Sequence, residues 1–149
     1  MKKFFFICAA ALTLSSSVFA TVYETTVNRK ISGAFDYAFS GANNVRWYTD
    51  DNKTFTAKFT LNHTAVNAYF DADGQLLVTS RYISGESLPL NIVNRLIKKY
   101  PGNKIQSVVE YTSNGGTMYL IMLEGEKTWT KVKADEVGSL TLMERLKKA

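Results

Sequence analysis

Two stretches of this chain, 61 residues apart, carry apolar side chains at the same spacing. Val27, Ile31, Phe35 and Phe39 recur every fourth residue, with Ala34 and Ala38 beside them. Leu88, Ile92, Leu96 and Tyr100 repeat the pattern, supported by Val93 and Ile97. Side chains three and four apart share one face of an α-helix, so each stretch is expected to form an amphipathic helix with one face to bury. Local signals frame both. Asn28 is a candidate N-cap for the first helix, and Ser40-Gly41 ends it, since Gly accepts the left-handed conformation that closes a helix. Ser87 is a candidate N-cap for the second, Pro89 suits its first turn, and Lys98-Lys99 sit favourably at the negative end of its dipole. Pro101-Gly102 stops it. The offset holds from Val27 and Leu88 through Gly41 and Gly102, which indicates an internal duplication.

The segments after the two helices also match in kind. After the first come Val45–Tyr48, Thr54–Leu61, Ala65–Asp71 and Gln75–Ile83, each of strand length and rich in β-branched or aromatic residues. Phe55, Ala57, Phe59 and Leu61 alternate with Thr54, Thr56, Lys58 and Thr60, as in a strand with one wet face. Turn residues separate the runs at Asp50-Asp51-Asn52, Asn62-His63 and Asp71-Ala72-Asp73-Gly74. After the second helix come Ile105–Tyr111, Thr117–Leu123, Thr128–Val132 and Leu140–Met143, with turns at Asn114-Gly115-Gly116, Glu124-Gly125-Glu126 and Asp135 to Gly138. The expected fold is α+β: two tandem repeats, about 27–84 and 87–146, each a helix followed by a four-stranded antiparallel sheet. The helix covers one sheet face and leaves the other to water or to a partner.

Several of these residues carry a resemblance. Phe35, Phe39, Gly41-Ala42, Val45, Trp47, Phe59, Ala68, Phe70-Asp71, Gly74, Leu88-Pro89, Tyr100-Pro101-Gly102 and Ile105 resemble the β-lactamase-inhibitor-like, PepSY-like family of exported bacterial proteins, common in Bacteroidetes. The resemblance implies the same α+β architecture, a periplasmic location and no established enzymatic activity. Inhibitors of this kind bind enzymes with a concave sheet surface. Their contact loops find no residue-by-residue match here, so the resemblance transfers no inhibitory site.

The N-terminal twenty residues are expected to be an address rather than part of the fold. Lys2 and Lys3 precede an apolar run from Phe4 to Leu14, and Val18-Phe19-Ala20 supplies a signal-peptidase site. The run is too short to span a bilayer, which needs roughly 20 apolar residues. Cleavage after Ala20 would remove the one Cys, Cys8, leaving residues 21–149 without a thiol. It would also lower the net charge from +5 to about +3, since 16 basic side chains would remain against 13 acidic ones. The remaining basic residues form no stripe interleaved with aromatics, so nucleic acid is not an expected partner. No integral membrane segment is expected after cleavage.

Little catalytic chemistry is available. His63, the one imidazole, falls in a turn, and no Gly-x-Ser-x-Gly element supplies a nucleophile for it. Asp71-x-Asp73-Gly74 lacks the later oxygen ligands of a calcium loop and fits a β-turn instead. Glu124 and Glu126, like Asp50 and Asp51, are expected to be solvated turn residues, and Lys147-Lys148 a solvated tail. No catalytic residue, metal or cofactor is therefore assigned.

Aromatic residues carry the remaining signal. Trp47, Phe55, Phe59 and Phe70 point to the core by phase. Tyr48 and Tyr69 take the opposite phase, among Arg46, Lys58 and Asn67. Trp129 is in phase with Lys131 and Lys133, opposite Thr128, Thr130 and Val132, and the alternation alone does not say which side is buried. Tyr48, Tyr69, Trp129 and Lys131 are the candidate partner-binding residues, since open sheet faces of this composition suit protein interfaces, although cross-strand pairing would also explain them. The expected function is a non-enzymatic, exported binding protein for a protein or peptide of the cell envelope. An envelope carrier with an apolar cleft for a small ligand is the alternative.

Overall fold

The computed structural model describes residues 22–149, and the expected signal peptide, 1–20, lies outside the described residues. The protein is an antiparallel sheet with two α-helices. Its chain divides into two compact units, one running to Val78 with Ser113–Gly115, the other comprising Thr79–Thr112 and Gly116–Ala149.

In the first unit, helix α1 (Arg29–Ala38) follows a short strand β1 (Tyr23–Thr25). Strands β2 (Asn43–Thr49), β3 (Thr54–Leu61) and β4 (Thr64–Asp71) come next, and β5 (Leu76–Ile83) begins in this unit and ends in the second. Adjacent strands from β1 to β4 pair antiparallel, with Phe55 opposite Phe70 and Ala57 opposite Ala68. The strand β1 has too few residues for its alternation to show in the sequence; its pairing with Trp47, Tyr48 and Thr49 is what makes it a strand.

The core of this unit is aromatic. Ile31 and Phe35 of α1 are buried against Ala57, Phe59, Ala68 and Phe70, with Phe39, Trp47 and Phe55 packed beside them. Phe35 meets Phe59 edge-on at 4.9 Å and 89°, and Trp47 lies 5.7 Å from Phe70. Tilted and edge-on contacts of this kind suit the ring quadrupoles and add about 0.5–1.5 kcal/mol per pair beyond burial.

The cap of α1 is local chemistry. The Asn28 side chain accepts a hydrogen bond from the Ile31 backbone N–H at 3.1 Å. Asn28→Ala is expected to lower stability by about 1 kcal/mol, read from the denaturant midpoint at unchanged slope. At the other end the Phe39 N–H donates to the Phe35 carbonyl, and Gly41 takes a φ of 86°.

The second unit holds α2 (Leu90–Lys99), β6 (Lys104–Ser113) except for its last residue, β7 (Gly116–Glu124), β8 (Thr128–Asp135) and β9 (Leu140–Lys147). The strands β7, β8 and β9 pair antiparallel in sequence order. Leu88, Ile92, Leu96 and Tyr100 are buried on Val108, Ile121, Leu123, Val132 and Ala134. Every strand after α2 is longer than its apolar alternation indicated. The last one runs to Lys147 because Arg145 and Lys147 keep pairing with Thr130 and Thr128.

The start of α2 differs from expectation. Ser87 does not cap it. Gly85–Ser87 form a 3-10 turn, in which the Ser84 and Ser87 hydroxyls lie 3.0 Å apart, and Pro89 occupies the N-cap position without a side-chain bond. The Pro89 carbonyl accepts from Ile92 and Val93 instead. Ser87 sits two residues too early for its hydroxyl to reach the free N–H groups of the first turn.

Candidate functional site

Alternation along a strand puts successive side chains on opposite faces, so the buried phase of each strand defines an open one. In the first unit Trp47, Ala57 and Ala68 pack with the helix side, and Tyr48, Thr56 and Tyr69 occupy the opposite face. Register sets Tyr48 opposite Thr56 and Thr56 opposite Tyr69, so the two tyrosines flank one threonine. Arg46, Lys58 and Asn67 form the next row across the same strands. The Lys58 Nζ lies 4.9 Å from the Tyr48 ring centroid, close enough for a cation–π contact.

The second unit resolves the ambiguity of β8. Thr130, Val132 and Ala134 are buried, so Trp129, Lys131 and Lys133 belong to the open face. Across the ladder Glu124 stands opposite Trp129, Met122 opposite Lys131, and Leu120 opposite Lys133. On the other side Leu146 faces Trp129 and Glu144 faces Lys131. The result is a half-buried surface of Met, Leu and Trp crossed by ion pairs. Lys131 bonds Glu144 at 2.9 Å. Lys148 bonds Glu124 at 2.7 Å and lies 4.9 Å over the Trp129 ring. These partly exposed pairs contribute little to stability, on the order of 0–1 kcal/mol each. They place the Lys148 ammonium over the Trp129 ring and the Lys131 ammonium beside Glu144.

The four candidate residues thus form two groups, Tyr48 with Tyr69 in the first unit and Trp129 with Lys131 in the second. Two expectations change beside Trp129. Lys148 is not part of a solvated tail, because its backbone N–H donates to the Lys127 carbonyl and its ammonium bridges Glu124 and Trp129. Glu124 is not a free turn residue, being the last residue of β7 and bound to that ammonium. Met118, Leu120 and Met122 join the open face as well; their alternation with Tyr119, Ile121 and Leu123 is visible in the sequence, but all six are apolar.

The remaining polar motifs serve turns. His63 is exposed at the tip of the β3–β4 hairpin, where Asn62 and His63 take φ values of 49° and 65°. Positive φ at both central residues suits the right-handed twist of paired strands. One Asp71 carboxylate oxygen accepts from the Asp73 and Gln75 N–H groups, and Asp73 faces Lys30 at 3.5 Å. Asp51 is likewise not simply solvated. Burial alone would push its carboxyl up, but the Thr54 and Lys53 N–H groups donating to it hold it below the usual carboxylate value. Tyr119 moves the other way: burial, with the carboxylates of Glu110 and Glu136 nearby, raises its phenol. Among the described residues no group of three or more His, Cys, Asp or Glu side chains is placed to hold a metal ion. None of their helices is long and apolar enough to cross a membrane.

No protein-family profile matches the chain, and no curated protein matches it. Solved structures do. A BLIP-like protein from Bacteroides fragilis aligns with a TM-score of 0.69 and 16% identity, over 84% of this chain and 90% of that one. A DUF2874 family protein from Bacteroides ovatus aligns with a TM-score of 0.69 and 19% identity, over 83% and 89%. A protein from Bacteroides eggerthii, provisionally described as periplasmic, gives a TM-score of 0.69 and 12% identity over 83% and 90%. The resemblance carried by the spaced core and turn residues therefore holds in three dimensions: this chain has the α+β fold of the BLIP-like and DUF2874 proteins of Bacteroides.

Proposed function

We propose that this chain is an exported, periplasmic, non-enzymatic protein that recognises a protein or peptide partner through the open faces of its sheet, in the manner of an inhibitor. The observation that carries the reading is the composition of those faces. Tyr48 and Tyr69 flank Thr56 on one, and Trp129, Met122, Leu120 and Lys131 gather on the other. Aromatic residues and Met are enriched in protein interfaces, and rigid aromatic side chains supply contact area at low entropic cost. The fold shared with a BLIP-like protein supports the same reading. Residues 1–20 are read as the signal peptide, and 21–149 as one binding protein made by duplication. In support, α1 and α2 have equal length at an offset of 61. The turns Asp71–Gln75 and Asp135–Ser139 share the same three backbone and side-chain hydrogen bonds.

The test is quantitative capture of envelope proteins by the purified chain, followed by affinity measurement on the recovered partner. Tyr69→Ala with Trp129→Ala should weaken binding by about 30-fold or more, the effect of losing roughly 2 kcal/mol at an interface hot spot. The thermal midpoint should stay close to that of the parent, since both side chains lie on the open face. Undiminished affinity in a folded double variant would remove these faces from the reading.

A further inference from the structure

Two cations face each other on the open side of the first unit. Register sets Arg46 of β2 directly opposite Lys58 of β3, with Asn67 of β4 completing the row. Both cations are exposed, and neither belongs to an ion pair among the described residues. The next row carries one acid, Glu24 of β1, set opposite Tyr48 rather than opposite either cation. Further along β4, the Asp71 carboxylate is held by the Asp73 and Gln75 N–H groups of its own turn. Like charges placed directly opposite one another in an antiparallel pair destabilise the sheet.

The second unit shows the opposite arrangement. There Lys131 of β8 stands across from Glu144 of β9, and the two bond at 2.9 Å. Lys148 bonds Glu124 at 2.7 Å. Those cations are neutralised within the unit, whereas Arg46 and Lys58 are left together. The Lys58 ammonium lies 4.9 Å from the Tyr48 ring centroid, which eases the repulsion but supplies no net negative charge. Two cations held side by side against their own repulsion, next to Tyr48 and Tyr69, require a negative group from outside the sheet.

We propose that Arg46 and Lys58 together receive a side-chain carboxylate of the partner, so that the segment recognised by this face is an acidic peptide stretch. This rests on the reading of the open faces as partner-binding surfaces. The Arg46 guanidinium is a planar fork that matches a carboxylate with two parallel hydrogen bonds, and Lys58 adds a point charge beside it. The incoming carboxylate also relieves the repulsion between the two cations. Tyr48 and Tyr69, two residues along the same strands, take the apolar or aromatic side chains that flank the acid. A nucleic acid would need a groove of cations tracking its backbone, and this row carries Arg46 and Lys58 alone.

The probe is a displayed library of random linear peptides, selected on the purified chain, with the affinities of recovered peptides then measured in solution. Recovered sequences are expected to be enriched in Asp and Glu next to aromatic or aliphatic residues. Replacing that acid by its amide should weaken a recovered peptide about fivefold, and its affinity should fall as salt rises. Lys58→Glu, which copies the Lys131–Glu144 arrangement of the second unit, should weaken the same peptide by at least about tenfold while keeping or raising the thermal midpoint. A lowered midpoint would overturn the argument from repulsion. Recovery without acidic enrichment, no recovery above a bare surface, or full affinity in folded Lys58→Glu would overturn the proposal. Tighter binding of single-stranded oligothymidylate than of any recovered peptide would assign the two cations to phosphate and overturn it as well. Peptides that bind without an acid yet lose affinity in Tyr69→Ala would sink the carboxylate and leave the open-face reading standing. Undiminished partner affinity in Tyr69→Ala with Trp129→Ala removes that reading itself, so the two fail separately.

Discussion

Replacing Phe70 by alanine is expected to destabilise the first unit by about 3–5 kcal/mol. The ring is fully buried, and it meets Phe35, Phe39 and Trp47 at centroid distances of 6.3, 6.5 and 5.7 Å. Truncation removes the transfer free energy of the ring and leaves a cavity walled by other rigid rings, which collapse into it poorly. Phe70 also pairs with Phe55 across the β3–β4 ladder, so the loss reaches both the helix contact and the sheet. Denaturant unfolding followed by near-ultraviolet circular dichroism would measure it, since Trp47 reports directly on this cluster. A cost under about 1.5 kcal/mol would mean that the neighbouring rings repack and that the cluster is less rigid than its geometry indicates.

Gly74→Ala is the second large effect, and it arises from backbone rather than burial. Gly74 has a φ of 82°, and a Cβ there would stand 2.9 Å from the Lys30 carbonyl oxygen and 3.0 Å from its carbon. The left-handed conformation alone costs a non-glycine residue about 1–3 kcal/mol. The clash is with helix backbone, so relief requires the turn to lift away from the start of α1. Two controls separate these terms. At Gly41, with a φ of 86°, an added Cβ meets nothing within 4 Å, so Gly41→Ala should show the conformational cost alone. At Gly138 the nearest atoms are Arg95 Nε and Asn91 Nδ2, both 3.2 Å away at the ends of flexible side chains. The expected order of destabilisation is Gly74 greatest, then Gly138, then Gly41. Thermal midpoints of the three alanine variants would check it, and equal losses would discard the clash at Lys30.

The signals that were legible in the sequence are the ones whose physics is local. Asn28 caps α1 because its side chain needs to reach only three residues along. Gly41 and Gly102 end their helices through positive φ, a property of glycine itself. The four-residue period identified Ile31, Phe35, Ile92 and Leu96 as the buried helix positions, since the period is fixed by helix geometry. Where two local signals competed, sequence reasoning chose wrongly. Ser87 is a good cap by type, but Pro89 and the 3-10 turn before it set the start of α2.

For the candidate site, the order of residues along each strand was enough to say which of them share a phase: Tyr48 lies opposite Trp47, and Trp129 is with Lys131 and Lys133. Strand alternation is a property of the chain and requires no neighbour. The outward phase of β8 was not legible in the same way, because Thr130 and Val132 are no more strongly apolar a set than Trp129 with the stems of Lys131 and Lys133. Packing in three dimensions sends Thr130, Val132 and Ala134 under the helix side, since burial depends on what lies against the strand. Packing also brings Lys148 over Trp129 and into its bond with Glu124, 24 residues earlier. That contact comes from register across β7, β8 and β9, and register is a relation between strands, set by hairpin geometry and shared burial rather than by any one segment.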